Sequence, residues 1–287
     1  MKVGILGDRK RAQVWEKHLR PLKAVQEVVI ASTLKDIRGS YCCILIDDSP
    51  HNLDLLADTI RLGIHSYLVA EIPTDTEKLR KVHSYSQESD VRVQFSHWPS
   101  LSSATQWMRS QLPKPAFAHI HRESVHHSFS ENRQKLSRQW IDELAWIIKW
   151  MGVRIHRIEA DTPASSLVGS GIRIYIKFEN GSTASLYHST IGTDRIHRRI
   201  AAGPKISLDC DVLSQSVKRV ESNNQGHLNV YSKSFEATGV AGLSAMLFFK
   251  AIKLGTETTF TPFDALQTSL VIKKVDSLLR MTRSDVT

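Results

Sequence analysis

The sequence predicts an α/β protein with an amino-terminal doubly wound parallel sheet and a carboxyl-terminal α+β domain that carries a large, mostly antiparallel open sheet. In the first part, short apolar strands alternate with amphipathic helices, most clearly across residues 44–73, which is the pattern of a parallel crossover unit. From residue 153 onward, apolar residues recur at every second position, as in antiparallel strands. Pro113 and Pro115 mark a linker, so we predict domains at residues 1–115 and 116–287.

The first strand, residues 2–6, leads into a turn that partly matches the glycine-rich loop of a Rossmann-type dinucleotide domain. Gly7 occupies the first glycine position, whereas Arg9 and Ala12 stand at the second and third. Alanine still allows close helix packing, and an arginine either blocks the approach of a phosphate to the backbone or offers it a cationic contact. The second strand ends at Ser32, which favours the 2′-phosphate of NADP, with a solvated turn as the alternative.

The crossover unit at residues 44–73 reaches the edge of the sheet where ligands bind in such folds. Its first strand is followed by residues 48–51, which include Pro50 and His51, and its second strand ends at residues 71–73. In open α/β sheets, ligands lie outside the carboxyl ends of the strands. We therefore expect both stretches to contact whatever the protein binds.

Composition limits the other possibilities. With 41% hydrophobic and 23% charged residues in 287, the chain has the profile of a globular protein. No apolar run reaches the roughly 18 residues that a membrane helix needs. The amino terminus enters a strand without a signal-peptide pattern, so a cytoplasmic protein is expected. The three cysteines lack the spacing of a disulfide framework or a metal site and are expected to be buried and reduced.

The formal net charge of +9 raises the question of a polyanionic partner. The basic residues form short, scattered runs, such as residues 9–11 and 195–199, and the chain contains no recognisable nucleic-acid module. We therefore expect a solvated basic surface and no nucleic-acid binding, and a polyanion-binding module is kept as a third functional class.

The second domain combines a long helix with its sheet. Apolar residues repeat at helical spacing across residues 136–151, and Asn180-Gly181 between two alternating runs predicts a tight hairpin. His119 and His121 share one face of a strand, but no carboxylate or cysteine pattern completes a site, so no metal is expected. The last helix, residues 263–280, is expected to pack back on the first domain.

This order of elements resembles the Gfo/Idh/MocA family of NAD(P)-dependent oxidoreductases across nearly the whole chain. The matching stretches are residues 3–7, Pro50-His51, residues 63–65 and 69–73, residues 145–152, residues 178–182, residues 249–255 and residues 264–266. In lacking the lysine of the family's Glu-Lys-Pro turn, the chain resembles the biliverdin-reductase-like branch of the same superfamily.

The resemblance implies NADP, or NAD, as the cofactor and a small molecule as the substrate. The residues that match its cofactor positions are Gly7, Arg9, Ala12, Ser32, Pro50, His51, Glu71 and Pro73. It further implies a cis peptide bond before Pro73 and a homodimer or homotetramer formed through the carboxyl-terminal sheet.

The departures from the family fall on its chemistry. Ile72 replaces the lysine of the family's Glu-Lys-Pro turn and cannot donate a proton. The family's Asp-x-x-x-His pair falls on Arg138 and Asp142, and Arg138 cannot act as a base. A buried Asp142 is a possible acid or base, and an exposed helix acid is the alternative.

We therefore predict a rebuilt active site. The catalytic candidates are Asp142, His121 and Glu123, and the substrate-contact candidates are Ile72, Trp98, Arg122, Arg138 and His188. An internal ion pair of Arg122 with Glu123 and core packing of Trp98 are the structural alternatives.

Two functional hypotheses follow. The first is an oxidoreductase that transfers hydride between nicotinamide and an unidentified small molecule without the usual lysine and histidine. The second is a catalytically inactive family member that acts as a ligand-binding, regulatory or scaffold protein, because fold alone does not decide function.

Overall fold

The computed structural model describes residues 1–125, 139–162, 171–190, 192–223, 225–237 and 239–284, without the side chains of residues 281–284. The chain divides into two compact units, Met1–Trp98 with Gly239–Leu270, and Pro99–Thr238 with Val271–Thr287. The predicted boundary after residue 115 and the predicted packing of the last helix stay predictions.

The described elements alternate as the sequence predicts. In chain order they are β1 (Lys2–Gly7), α1 (Arg9–Leu19), β2 (Glu27–Ala31), β3 (Cys42–Ile46), α2 (Asn52–Arg61), β4 (His65–Val69), α3 (Thr76–Glu88), β5 (Val93–Phe95), α4 (Ser103–Gln111), β6 (Phe117–Glu123), α5 (Gln139–Met151), β7 (Ile155–Asp161), β8 (Gly171–Phe178), β9 (Thr183–Ser189), β10 (Ile196–Ala202), β11 (Ile206–Asp211), β12 (Ser216–Ser222), β13 (Leu228–Ser234), α6 (Val240–Leu254) and α7 (Pro262–Ser284). Short 3-10 helices lie at Leu34–Ile37 and Trp98–Ser100.

The first unit is built on a five-stranded parallel sheet in the order β2-β1-β3-β4-β5. All five residues of β3 are buried because this central strand is covered on both faces. One side of the core includes Ile5, Ile44, Trp15 of α1 and Phe248 of α6. Full burial of such side chains contributes about 1.5–3 kcal/mol each. The strand order reverses between β1 and β3, so the carboxyl ends of these strands form the topological switch point.

The second unit is built on an eight-stranded sheet in the order β13-β12-β11-β10-β6-β9-β8-β7. Every neighbouring pair is antiparallel except β6 with β9. In β8 the burial alternates residue by residue, with Ile172, Ile174 and Ile176 buried. These two sheets confirm the predicted fold class.

The hairpin between β8 and β9 turns at the predicted position, where Gly181 has a φ of +83°. The peptide bond before Pro73 is trans, so the expected cis bond is wrong. The cysteines at 42, 43 and 210 are buried and unpaired. Within the described part of the chain, every helix is too short or too polar to cross a membrane.

Candidate functional site

The turn after β1 lies directly against the end of β3 at the switch point of the parallel sheet. Gly7 has a φ of +147°, and a Cβ at this position would lie 2.2 Å from the carbonyl oxygen of Ile46. Any other residue would collide with the neighbouring backbone. Ala12, at the third position of the predicted loop, is fully buried and lets α1 pack closely on the sheet. Both positions thus meet the steric demands of a dinucleotide turn.

The amino terminus of α1 is capped by a carboxylate of the chain itself. Asp8 accepts a hydrogen bond of 2.9 Å from the backbone N–H of Arg11. The Arg11 guanidinium in turn lies 2.5 Å from the carboxylate of Asp48, beyond the end of β3. Arg9 is exposed beside this pair. At this terminus Asp8 and Asp48 thus engage the backbone and the side chain of Arg11, respectively.

The end of β2 carries small exposed residues. Ser32 and Thr33 are exposed, and the Asp36 carboxylate accepts hydrogen bonds from the backbone N–H (3.0 Å) and hydroxyl (2.8 Å) of Thr33. These bonds lower the pKa of Asp36. The two residues that follow β2, Ser32 and Thr33, are not acidic, and the first carboxylate after them, Asp36, is engaged by Thr33.

The loop after β3 is held by its own side chains. Asp47 accepts hydrogen bonds from the backbone N–H (2.8 Å) and the hydroxyl (2.9 Å) of Ser49. Pro50 and His51 are exposed on this loop, and the His51 Nδ1 lies 3.6 Å from the Asp54 carboxylate. The imidazole is therefore displayed at the carboxyl edge of the sheet.

The turn after β4 displays one acid and buries its apolar neighbour. Glu71 is exposed and Pro73 is half-buried, whereas the Ile72 side chain is only 3% exposed. Trp98 is half-buried, with its ring 6.2 Å from that of Trp15 in the core of the same unit. Trp98 packs against the apolar core of this unit, and the predicted contact of Ile72 and Trp98 with a substrate stays a prediction.

The second unit contains a buried charge cluster centred on Glu143 of α5. This glutamate is fully buried and binds the 1% exposed guanidinium of Arg199 through two bonds, of 2.9 Å from Nε and 3.0 Å from Nη2. His197 Nε2 lies 2.9 Å from the same carboxylate. Arg199 also donates to the carbonyl of Pro99 (3.2 Å) and the hydroxyl of Thr105 (2.5 Å). The pair joins α5, β10 and the α4 region within this unit.

The protonation of this cluster follows from its burial and its charges. Burial alone would raise the pKa of Glu143, but Arg199 and His197 hold it well below its usual value. Burial lowers the pKa of His197 in spite of its bond to Glu143. A buried carboxylate that stays ionised beside a cation is consistent with an internal ion pair that fixes side-chain positions.

Arg122 and His188 lie next to this cluster. They are register partners on β6 and β9 and lie on the same face of the sheet, against α5. Arg122 Nη1 lies 3.5 Å from the Glu143 carboxylate and 3.5 Å from the carbonyl of Gln139. His188 is 2% exposed, and burial, with Arg122 as the next cause, lowers its pKa to about 4.

The predicted catalytic residues lie on opposite faces of the sheet. Asp142 lies on α5, half-buried, and its charge acts on Arg122. His121 and Glu123 lie on the other face of β6, because side chains alternate along a strand, and their side chains are bonded at 2.8 Å. The structure thus groups Asp142 with Arg122 and His188 but not with His121 and Glu123. Arg138 lies outside the described residues.

Sequence reasoning missed Glu143, His197 and Arg199. Two signals were present. A carboxylate stands inside the apolar stripe of α5, three residues after Trp140 and four before Ile147. A buried charge requires a partner. The alternation of side chains along β10 places His197 and Arg199 on one face of the strand, where they supply it. Among the described residues, no group of histidine, cysteine or acidic side chains is arranged to hold a metal ion.

This chain resembles known proteins in its structure. No family model and no curated protein matches the sequence. Among solved structures, the UDP-N-acetylglucosamine 3-dehydrogenase of Acidithiobacillus ferrooxidans matches with a TM-score of 0.85 and 12% identity over 97% of each chain. A dehydrogenase from Chromobacterium violaceum matches with a TM-score of 0.81 and 11% identity over 99% of this chain and 96% of its own.

A third similar structure is the biliverdin reductase of Synechocystis, solved with biliverdin and NADP+. It has a TM-score of 0.72 and 11% identity, over 97% of this chain and 98% of its own. All three are oxidoreductases by name, and the identities are low enough that they establish the fold alone. The chain therefore has the two-domain α/β fold of Gfo/Idh/MocA-type dehydrogenases.

Proposed function

We propose that this protein is an NAD(P)-dependent oxidoreductase that transfers a hydride between nicotinamide and a small molecule. The observation that carries the proposal is the close approach of Gly7 to Ile46 at the switch point. Only glycine fits there, and a fold whose neighbours include a structure with NADP+ provides the context. The cofactor would supply the hydride, and the chain would bind and orient it at the carboxyl edge of the parallel sheet.

NADP is the preferred cofactor in this proposal. Ser32 directly follows β2, and the nearest carboxylate after it, Asp36, is engaged by Thr33 instead of being placed to bind ribose hydroxyls. Lys35, three residues after Ser32, and Arg9, in the turn after β1, are both exposed and would supply positive charge for a 2′-phosphate. The roles of Pro50, His51, Glu71 and Pro73 in cofactor binding belong to the same proposal.

Titration with NADPH and NADH, followed by nicotinamide fluorescence, tests the proposal. We expect tighter binding of NADPH and a loss of about tenfold or more in Arg9→Gln, because a charge-assisted hydrogen bond is removed. Arg20→Gln, at the other end of α1, removes the same charge as a control. Ser32→Asp should shift the preference towards NADH. Failure of both nucleotides to bind would refute the proposal.

A catalytically silent binding protein is the second candidate, and two observations favour it. Ile72, at the position of the family's lysine, is buried, and the candidates His121 and Glu123 lie on the other face of the sheet from Asp142. Such a protein would bind NADPH without consuming it. A constant absorbance at 340 nm, with tight binding and a broad panel of carbonyl substrates, would favour this candidate.

We also propose that the face of the eight-stranded sheet opposite α5 pairs with a second copy of the chain. This face displays Arg173 and Lys177 on β8 and carries Asp209 and Asp211 on β11. The two strands lie two positions either side of β6. A two-fold axis along β6 would therefore set the basic pair of one copy opposite the acidic pair of the other.

Sedimentation equilibrium tests the pairing. A dimer or tetramer is expected, and Arg173→Glu should raise its dissociation constant by placing like charges opposite each other. A monomer at every concentration would refute this proposal.

A further inference from the structure

We propose that Arg122 and His188 form an oxyanion subsite, so that the substrate carries a carboxylate or phosphate group. That the bound group belongs to a substrate rests on the proposed oxidoreductase function, whereas the subsite itself rests on the contacts of these two residues. Both lie on the helix-facing side of the eight-stranded sheet, in directly paired positions of β6 and β9. Paired residues on one face have neighbouring side chains, so a single small group can reach both.

Arg122 has hydrogen-bonding capacity that the described residues leave largely unused. A guanidinium has five N–H donors. The contacts of Arg122 are both 3.5 Å long, one to the Gln139 carbonyl and one to the Glu143 carboxylate. Its side chain is 22% exposed, which leaves a path for a ligand.

The Glu143 carboxylate is already bound by two residues other than Arg122. Its two oxygens take the bidentate bonds of Arg199 at 2.9 and 3.0 Å and the His197 contact at 2.9 Å. The contact between Glu143 and Arg122, at 3.5 Å, is longer than these three. Asp142 is the second carboxylate that acts on Arg122. Burial lowers the pKa of Arg122, whereas the charges of Glu143 and Asp142 raise it.

His188 provides an independent sign of a missing partner. Its side chain is 2% exposed, and its Nε2 is buried without a hydrogen-bond partner among the described residues. A buried polar atom without a partner costs about 1–3 kcal/mol. An acceptor oxygen on a ligand removes that cost when the imidazole donates from Nε2. The lowered pKa of about 4 shows that the environment without a ligand disfavours the imidazolium.

An oxyanion matches both residues at once. A carboxylate or phosphate offers several acceptor oxygens, one for the guanidinium of Arg122 and another for Nε2 of His188. Its charge also favours a protonated His188. A neutral hydroxyl offers one oxygen and brings no negative charge to Arg122, and a cation is repelled by Arg122. The pair therefore selects for negative charge.

The test measures anion binding to the full chain without any nicotinamide cofactor. Isothermal titration calorimetry with malonate and with inorganic phosphate distinguishes a carboxylate ligand from a phosphate ligand. We expect saturable binding of one of them at millimolar concentration. Arg122→Gln and His188→Leu should each weaken that binding about tenfold or more. Arg157→Gln, which removes an exposed arginine from β7 of the same sheet, should leave it unchanged.

His188→Leu also separates lost binding from lost folding. Because the variant removes a buried atom that lacks a partner, it should unfold at the same urea concentration as the parent or at a higher one. Equal anion binding in the parent and in Arg122→Gln overturns the subsite, as does the absence of saturable binding by both anions. NADPH titrations run in parallel: NADPH binding without anion binding overturns only this inference. Anion binding without nicotinamide binding supports the subsite and refutes the oxidoreductase.

Discussion

Replacement of Glu143 by glutamine is the sharpest test of the second unit. The glutamate is fully buried and accepts two bonds from Arg199, which is itself 1% exposed, and one contact from His197. A glutamine keeps the volume of the glutamate side chain but removes its negative charge. Its NH2 group would also face the N–H donors of Arg199. Removing one partner of a buried ion pair costs about 3–5 kcal/mol, because the other charge stays buried. We expect this loss in the free energy of unfolding.

Urea denaturation followed by circular dichroism measures that loss. Glu159→Gln, whose partner Arg157 is exposed, is the matched control and should lose no more than about 1 kcal/mol. A double variant, Glu143→Leu with Arg199→Met, should recover most of the stability, since both charges leave together. If Glu143→Gln lost no more than Glu159→Gln, the buried pair would not exist as described.

Three further predictions concern pH, the glycine turn and the isoleucine. The pKa of His188 falls from 6.5 to about 4 on folding, so the unfolded state binds more protons between these values. The free energy of unfolding therefore falls by about 3 kcal/mol as the pH falls from 6.5 to about 4, and His188→Leu should abolish this pH-dependent loss in urea titrations. Gly7→Ala, with Cβ 2.2 Å from the Ile46 oxygen, should lose at least about 1–3 kcal/mol and NADPH binding, as calorimetry would show. Ile72→Lys should lower the melting temperature because the side chain is 3% exposed, and a gain of polyol dehydrogenase activity with unchanged stability would contradict this.

The fold was predictable because its signals are local. In β8 the apolar residues 172, 174 and 176 alternate with charged and aromatic ones, and the structure buries the apolar set. The apolar run of β3 is equally local, and the structure buries all five of its residues. Right-handed crossovers then leave few possible strand orders. The trans bond before Pro73 is different, because its expectation came from relatives and from no property of the sequence.

The buried cluster was not predictable in the same way, and the run at 195–199 shows the physical reason. Composition assigns its arginines to a solvated surface, and Arg198, half-exposed and paired with Asp209, fits that expectation. Arg199, one residue later, points to the opposite face and is 1% exposed, so the expectation is wrong there. The face of β10 that becomes buried depends on the pairing of β10 with β6. It therefore depends on contacts between this strand and Glu143, which lies 54–56 residues away in the sequence.

The same argument separates Asp142 from Glu143. Alignment with a family motif selects a position along the helix but carries no information on which of two adjacent acids faces the sheet. Successive helical residues differ in direction by about 100°, so a shift of one residue along the helix moves a carboxylate from the core to the margin. Glu143 is buried and its charge is neutralised by Arg199, whereas Asp142 is half-buried and its charge acts on Arg122. Because the charge of Glu143 is already neutralised by an internal partner, Asp142 and His188 are the better candidates for proton transfer in the proposed oxidoreductase.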